Sequence, residues 1–218
     1  MIQIHATKKL LSKMPAQTKP GAEDILAAPQ SKLGSWHANL LTIQRRNCLL
    51  FVHDQTRFPV FIPALTKPHF AIIDRFFDDA LMNTLLKCDA TQEQLDTAAA
   101  LLQPLAFMGG TDRSVLGTLN QLGQDIDHII YFDSLNVAEM AEMAGYALSA
   151  SLAERPCHVK GQKDYIWPRD AFLELLDRLS GEVDLNSSQT DDQRALSDSP
   201  SEPIADNVVM LDRFRQTK

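Results

Sequence analysis

Residues 33–63 constrain the fold of this chain most strongly, because they predict three consecutive β-strands. Three short runs rich in apolar, β-branched and aromatic residues are separated by two short polar breaks, a pattern typical of an antiparallel meander. The runs cover residues 36–44, 48–53 and 58–62. Pro59 lies in the third run and predicts an edge strand, since proline has no N–H to donate to a neighbouring strand.

The first run also predicts which side chains share a face of the sheet. Successive side chains of a strand point to opposite faces. Even-numbered residues from Trp36 to Thr42 are therefore expected on one face, and odd-numbered residues from His37 to Ile43 on the other. The more continuously apolar second run favours a central strand that is covered on both faces.

Beyond the meander, apolar residues recur mostly at helical spacing. Five stretches carry this pattern, and a Thr91–Gln94 capping box marks the start of the second. They cover residues 69–86, 91–105, 115–130, 134–152 and 168–179. We predict an α+β domain in which four or five helices cover a small antiparallel sheet, extended by residues 2–5 and 163–166. A helical bundle with one hairpin is the structural alternative.

The charge distribution separates a body from a tail. The net charge is −7, and most of it lies in residues 181–206, which hold seven acidic residues and one basic residue. We predict one domain over residues 1–180, with a mobile loop at 15–32. Residues 181–218 are predicted to form a largely disordered acidic tail with a short apolar end, because this composition buries too little apolar area to offset the ordering entropy.

Cysteine usage and hydropathy favour the cytoplasm. Cys48, Cys88 and Cys157 are unevenly spaced and form no C-x-x-C motif. No stretch approaches the length of a membrane span, and no signal-peptide pattern stands at the N-terminus. Asp125, Asp127 and His128 lack metal-ligand spacing, so the sequence predicts neither a metal nor a cofactor.

A glycine pair followed by Thr-Asp-Arg-Ser leads into the third predicted helix. Such a helix start presents free N–H groups at the positive end of the helix dipole, which is a suitable site for an anion. Arg113 adds a bidentate donor for a phosphate or carboxylate. We therefore predict an anion site made by Gly110, Thr111, Arg113 and Ser114, with Asn120 further along the helix.

A purely structural interpretation of this segment stays open. The segment lacks the G-K-[ST] of a P-loop and the G-x-G-x-x-G of a dinucleotide site. In the alternative, Thr111 or Ser114 caps the helix and Arg113 pairs with an acidic residue of the same chain.

Trp36, His37 and Asn39 on the first predicted strand, and Lys8, are further candidates for ligand binding. Clefts are enriched in Trp and in oriented amides. The alternative for Trp36 is a core anchor, and for Asn39 a hydrogen bond to the backbone. Lys8, next to Lys9, could meet a phosphate or an acidic partner, although a lysine pair on a helix is more often a solvated face.

Several segments together resemble an uncharacterised bacterial family, a domain of unknown function. They are His-Ala-Thr-Lys-Lys-Leu-Leu at 5–11, Leu-Gly-Ser-Trp-His-Ala-Asn-Leu at 33–40, Thr-Asp-Arg-Ser-Val-Leu-Gly-Thr-Leu-Asn at 111–120, and the closing pieces at 151–157 and 165–168. The resemblance spans roughly residues 1–175 and implies a single bacterial domain. It implies no activity, cofactor or catalytic residue.

The leading functional hypothesis is a non-enzymatic cytosolic binding or regulatory module, whose partner is a protein or a small anionic ligand. No G-x-S-x-G elbow or cysteine-protease signature is present. The alternative is an enzyme that acts on a phosphate- or carboxylate-bearing substrate at residues 109–114. A nucleic-acid binder using Arg45, Arg46, Lys8 and Lys9 is third, since the near-neutral body disfavours it. No membrane contact is predicted, and the oligomeric state is open.

Overall fold

The computed structural model describes residues 1–21, 31–132, 145–159 and 164–195, and the side chains of all of these except 182–195. One compact unit spans Met1–Val183 and contains every strand found in the described residues. The second unit, Asp184–Lys218, is described only through the helical backbone of residues 184–195. Residues 196–218, including the apolar end predicted for the tail, lie outside the described residues.

A five-stranded sheet forms the centre of the first unit, in the spatial order β4-β3-β2-β1-β5. Its strands are β1 (Ile2–Ala6), β2 (Trp36–Ile43), β3 (Arg46–His53), β4 (Pro59–Leu65) and β5 (Leu105–Met108). The antiparallel meander is confirmed by the pairing of β2 with β3 and of β3 with β4. The α+β class is confirmed as well.

The prediction of a purely antiparallel sheet is wrong, because β1 is parallel to both of its neighbours, β2 and β5. Strand β1 does extend the sheet, as predicted. The long connection between β1 and β2 lets the chain return and pair in the parallel direction, which a short hairpin could not do.

Two further strand assignments differ from the sequence prediction. Leu105 was expected on the core face of a helix that Pro104 ends early or kinks, but the helix stops before Pro104 and residues 105–108 form the edge strand β5. Residues 165–166 do not join the main sheet. They form β7 (Tyr165–Ile166), which pairs with β6 (Cys157–His158) in a separate hairpin.

Six α-helices are present in the part of the chain that the structure describes. They are α1 (Lys8–Leu11), α2 (Ile73–Lys87), α3 (Gln92–Leu101), α4 (Arg113–Phe132), α5 (Gly145–Ala153) and α6 (Pro168–Ala195), accompanied by 3-10 turns at Ala16–Thr18 and Lys67–Ile72. The capping box of α3 is confirmed, since the Thr91 side chain accepts from the Gln94 N–H and Gln94 accepts from the Thr91 N–H. Helix α6 gives residues 181–195, assigned to the tail from the sequence, a helical backbone.

The predicted edge strand β4 is closed on its outer side by helix α5. The backbone N–H of Phe61 donates to Ser149 Oγ at 2.8 Å, and Ser149 donates in turn to the Gly145 carbonyl at 2.9 Å. Gly145 lets the helix approach this closely, because an added Cβ would lie 2.5 Å from the Phe61 carbonyl oxygen.

The alternation of side chains along β2 is confirmed, and it divides the core into two clusters. We call the face that bears Trp36, Ala38 and Leu40 the aromatic face, and it packs with α2 and α6. The opposite face bears His37, Leu41 and Ile43, packs under α4 and α5, and is called the cleft face below. Among the described residues, no helix is both long enough and apolar enough to cross a membrane.

Candidate functional site

The start of α4 is capped by a residue that the sequence prediction passed over. Asp112 Oδ1 accepts hydrogen bonds from the backbone N–H groups of Ser114 at 2.7 Å and Val115 at 3.1 Å. These two bonds also hold the pKa of Asp112 below its usual range. The predicted cap at Thr111 or Ser114 is therefore wrong, because the Asp112 carboxylate already satisfies the first N–H groups of the helix.

The residues of the predicted anion site lie around this helix start without all facing the same space. Gly110 has a φ of +97°, which suits glycine, and Thr111 follows it as an exposed residue. Arg113 and Ser114 open α4 and line a cleft. Asn120 is exposed and lies outside the residues that line this cleft. A ligand role for Gly110, Thr111, Arg113 and Ser114 stays a prediction, whereas the position of Asn120 gives its predicted role no support.

Behind Ser114 lies Arg57, which the sequence did not single out. Arg57 belongs to the turn between β3 and β4, has a φ of +61°, and is only 6% exposed. Its Nη2 donates to Ser114 Oγ at 3.1 Å, while Nε and Nη1 are buried and have no hydrogen-bond partner among the described residues. A buried guanidinium with unused donors destabilises the folded state, because its hydrogen bonds only partly offset the free energy of removing its charge from water.

Burial lowers the pKa of Arg57, although the nearby carboxylates of Asp54 and Asp112 act in the opposite direction. The folded environment as a whole therefore disfavours the charge of this side chain. The two acids are also engaged elsewhere, Asp112 by the helix N–H groups and Asp54 by His37.

His37 connects β2 to the start of α4 through both of its ring nitrogens. The backbone N–H of Asp112 donates to Nε2 at 2.7 Å, so Nε2 is the unprotonated nitrogen, and Nδ1 donates to Asp54 Oδ1 at 2.6 Å. The side chain is 2% exposed, and its ring lies 4.9 Å from the ring of His5. With both nitrogens occupied, His37 positions the Asp112 backbone and has no nitrogen left to act as a base.

The cleft has a volume of about 730 Å³ and runs along one face of α4. Ser114, Thr118, Leu122 and Asp125 line it from that helix at intervals of three or four residues, which fits one helical stripe. The eleven steps from Ser114 to Asp125, at a rise of about 1.5 Å each, give this stripe a length of about 16 Å. The opposite wall is residues 155–158, the segment that follows α5.

The second wall carries a mixture of charged, thiol and apolar groups. Arg155 pairs with Asp125 across the cleft at 3.2 Å. The Cys157 thiol has its pKa raised by burial, which outweighs the lowering effect of the Arg57 charge. A thiol with a raised pKa is a poor nucleophile near neutral pH.

Trp36, Asn39 and Lys8 do not reach this cleft. Trp36 is fully buried on the aromatic face, with its ring 5.2 Å from that of Phe77. Asn39 is half-buried and accepts a hydrogen bond from Thr7 Oγ1 at 2.9 Å. Lys8 is exposed on α1. Their proposed ligand roles stay predictions with no support from their positions.

Little in the local sequence indicates the buried groups that form this site. Asp54-Gln-Thr-Arg57 has the composition of a solvated hairpin turn, yet Thr56 and Arg57 are both buried. Among the described residues, no three His, Cys, Asp or Glu side chains are placed to hold a metal ion.

Comparison with known proteins identifies a family for the chain, but the description of that family assigns no function. The model of a family described as "Domain of unknown function (DUF6933)" matches residues 3–171, which is well over half of the chain. No curated protein matches the chain. None of the solved structures matches it either.

Proposed function

The chain belongs to the DUF6933 family, a domain of unknown function, and we propose that it is a binding module that takes a small organic molecule into the cleft between α4 and residues 155–158. The observation that carries this proposal is the cleft itself, backed at one end by a buried arginine, two of whose three nitrogens have no hydrogen-bond partner among the described residues. A volume of about 730 Å³ lies within the usual range for small-molecule sites.

Binding is favoured over catalysis by the state of the reactive groups near the cleft. Both ring nitrogens of His37 are engaged, the Asp112 carboxylate caps α4, and burial raises the pKa of the Cys157 thiol. None of these three residues combines access to the cleft with the properties of a base or nucleophile. The enzyme hypothesis therefore rests on fewer observations than the binding module.

A cytoplasmic location is part of this proposal. Its support is that the three cysteines are free, two of them buried as small apolar side chains. From its apolar composition, the chain end at residues 207–218 is proposed as a docking element; this proposal and a bacterial source rest on the sequence alone.

Gly117 offers a direct test, because it lines the cleft and a Cβ added there would meet no atom within 4 Å. We expect Gly117→Leu to fold normally and to obstruct the middle of the cleft. Asn120→Leu is the matched control, since it adds the same side chain to the same helix outside the cleft lining.

The measurement is a fragment screen of neutral, cationic and anionic small molecules, followed by amide chemical shifts. Fragments should perturb residues 113–125 and 155–158 in the wild type and in Asn120→Leu, and this perturbation should disappear in Gly117→Leu. If no fragment of any charge perturbs these residues in the wild type, the proposed function is wrong.

A further inference from the structure

We propose that the ligand of this cleft is an elongated organic anion, with its carboxylate or phosphate group at Ser114 and its body lying along α4. This inference rests on the proposed function and adds the chemical class of the ligand. The start of α4 is not itself the binding element, because the Ser114 and Val115 N–H groups already donate to Asp112.

The hydroxyl of Ser114 is arranged to donate into the cleft. Its oxygen accepts from Arg57 Nη2 at 3.1 Å, which directs the hydroxyl proton away from the guanidinium. Ser114 is half-buried and lines the cleft, so that proton is available to an oxygen of a bound anion. A hydroxyl that accepts from a cation is a stronger donor than an isolated one.

Arg57 supplies positive charge at this end of the cleft. It is 6% exposed, it reaches the cleft wall at Ser114, and two of its nitrogens have no partner among the described residues. The Asp54 and Asp112 carboxylates act on this charge, and Asp112 also lines the cleft, but their hydrogen bonds go to His37 and to the helix N–H groups. An anion at Ser114 would therefore lie beside a buried guanidinium that is not hydrogen-bonded to any carboxylate of the described residues.

Arg113 supplies a second cation at the same end. It is exposed, it lines the cleft, and it forms no ion pair with the side chains that the structure describes. Its planar guanidinium suits the two oxygens of a carboxylate or a phosphate.

The remainder of the cleft fits an uncharged, partly apolar body. Gly117, Leu122 and Pro156 line the middle of it. The Asp125–Arg155 ion pair stands at the far end and is already neutralised, so it offers little attraction to a second charged group. A ligand with one anionic end and a neutral body matches this order of groups along α4.

The experiment uses three probes of similar shape on the full chain. Phenyl phosphate and benzoate carry the two candidate anionic groups, and benzamide is the neutral analogue of benzoate. Amide chemical shifts are followed in titrations at constant ionic strength for the wild type, Arg57→Met and Ser114→Ala, with Asn120→Leu as the control.

We expect both anions to shift the resonances of residues 113–118 saturably, with benzamide at least tenfold weaker. Arg57→Met and Ser114→Ala should each weaken anion binding about tenfold and leave the weak benzamide binding unchanged, while Asn120→Leu binds like the wild type. Whichever of benzoate and phenyl phosphate binds more tightly identifies the anionic group.

Equal binding of benzamide and benzoate in the cleft would overturn the anion assignment and leave the binding module intact. Anion binding to Arg57→Met that is as tight as to the wild type would also overturn the anion assignment and leave the binding module intact. A fragment screen without any cleft binder would overturn both. Inorganic phosphate is added as a fourth probe, and its binding as tightly as phenyl phosphate would contradict a role for the ligand body.

Discussion

The two faces of the central sheet are built from alternate residues of the same strands, yet they have opposite character. On the aromatic face, the rings of Trp36, Phe51, Phe77 and Phe172 are all fully buried and contact one another edge to face. On the cleft face, apolar residues under α4 adjoin the polar groups His37 and Arg57. The aromatic face leaves two neutral ring nitrogens, Trp36 Nε1 and His53 Nε2, without a partner among the described residues, whereas the cleft face leaves two nitrogens of the charged Arg57 without one. Burial of an incompletely paired charge destabilises the fold more than burial of a neutral group.

Two histidines of neighbouring strands illustrate this difference. His53 lies on the aromatic face, in contact with the rings of Trp36 and Phe172, and burial lowers its pKa to about 4. His37 lies on the cleft face and uses both nitrogens to hold Asp54 and the Asp112 backbone. Burial on the aromatic face therefore favours the neutral form of His53. On the cleft face, hydrogen bonds of His37 hold Asp54 and the start of α4 in place beside the cleft.

The largest effect is expected from a cavity on the aromatic face. Leu85 is fully buried on α2, whereas the adjacent Leu86 is 56% exposed. Leu85→Ala should lower the free energy of unfolding by about 2–5 kcal/mol, because it removes apolar contacts and leaves a void. Leu86→Ala, the same change on the same helix, should cost less than about 1 kcal/mol. Urea denaturation measures both, and equal losses would contradict the assignment of this face as the packed one.

Acid should weaken the aromatic face through His53. In an unfolded chain a histidine takes up a proton near pH 6.5, but in the folded protein His53 does so only near pH 4. The unfolded state therefore binds more protons between these values. Stability from His53 is complete above pH 6.5 and is lost as the pH falls towards 4, by about 3 kcal/mol in total.

Asp78 on α2 opposes this trend, because burial and the charge of Asp74 raise its pKa to about 6. The folded state then binds the extra proton as the pH falls through 6, which adds stability. The His53 effect is therefore measured as a difference between the wild type and His53→Gln in urea denaturation from pH 7 to pH 4. Identical pH profiles for the two proteins would count against a buried neutral His53.

A smaller loss is expected where α5 closes the edge of the sheet. A Cβ at Gly145 would lie 2.5 Å from both the Phe61 carbonyl oxygen and Pro63 Cδ, so Gly145→Ala should cost about 1–3 kcal/mol through overpacking. Gly117→Ala places the same methyl group in open space on α4 and should gain up to about 1 kcal/mol, since alanine favours helix over glycine. Thermal denaturation should show a lower melting temperature for Gly145→Ala and a higher one for Gly117→Ala. A change in the same direction for both variants would contradict this packing.

The regular parts of the fold were predictable because local patterns determine them. Period-two alternation placed Trp36 and His37 on opposite faces, and Pro59 marked the edge strand. Strand β5 was missed, because Leu105 continues the helical period of the preceding residues and only Pro104 signals the break. The parallel pairing of β1 was missed for a different reason, since it depends on a long-range contact with no local signature.

The site was predictable only in part. The helix start at Arg113 and Ser114 could be located from glycines and turn residues, and both residues do line the cleft. Arg57 could not be identified, because a polar turn of this composition is normally solvated, and its burial arises from the way α4 lies over the turn. Local sequence carries no record of that packing.

On our proposal, Arg57 serves a ligand of the cleft rather than the stability of the fold. The most direct test is the free energy of unfolding of Arg57→Met, measured in urea beside the wild type. We predict that the variant is as stable as the wild type or more stable, because methionine removes a buried charge that the protein does not fully pair. A loss of more than about 2 kcal/mol, as expected when a well-paired buried arginine is removed, would contradict the claim.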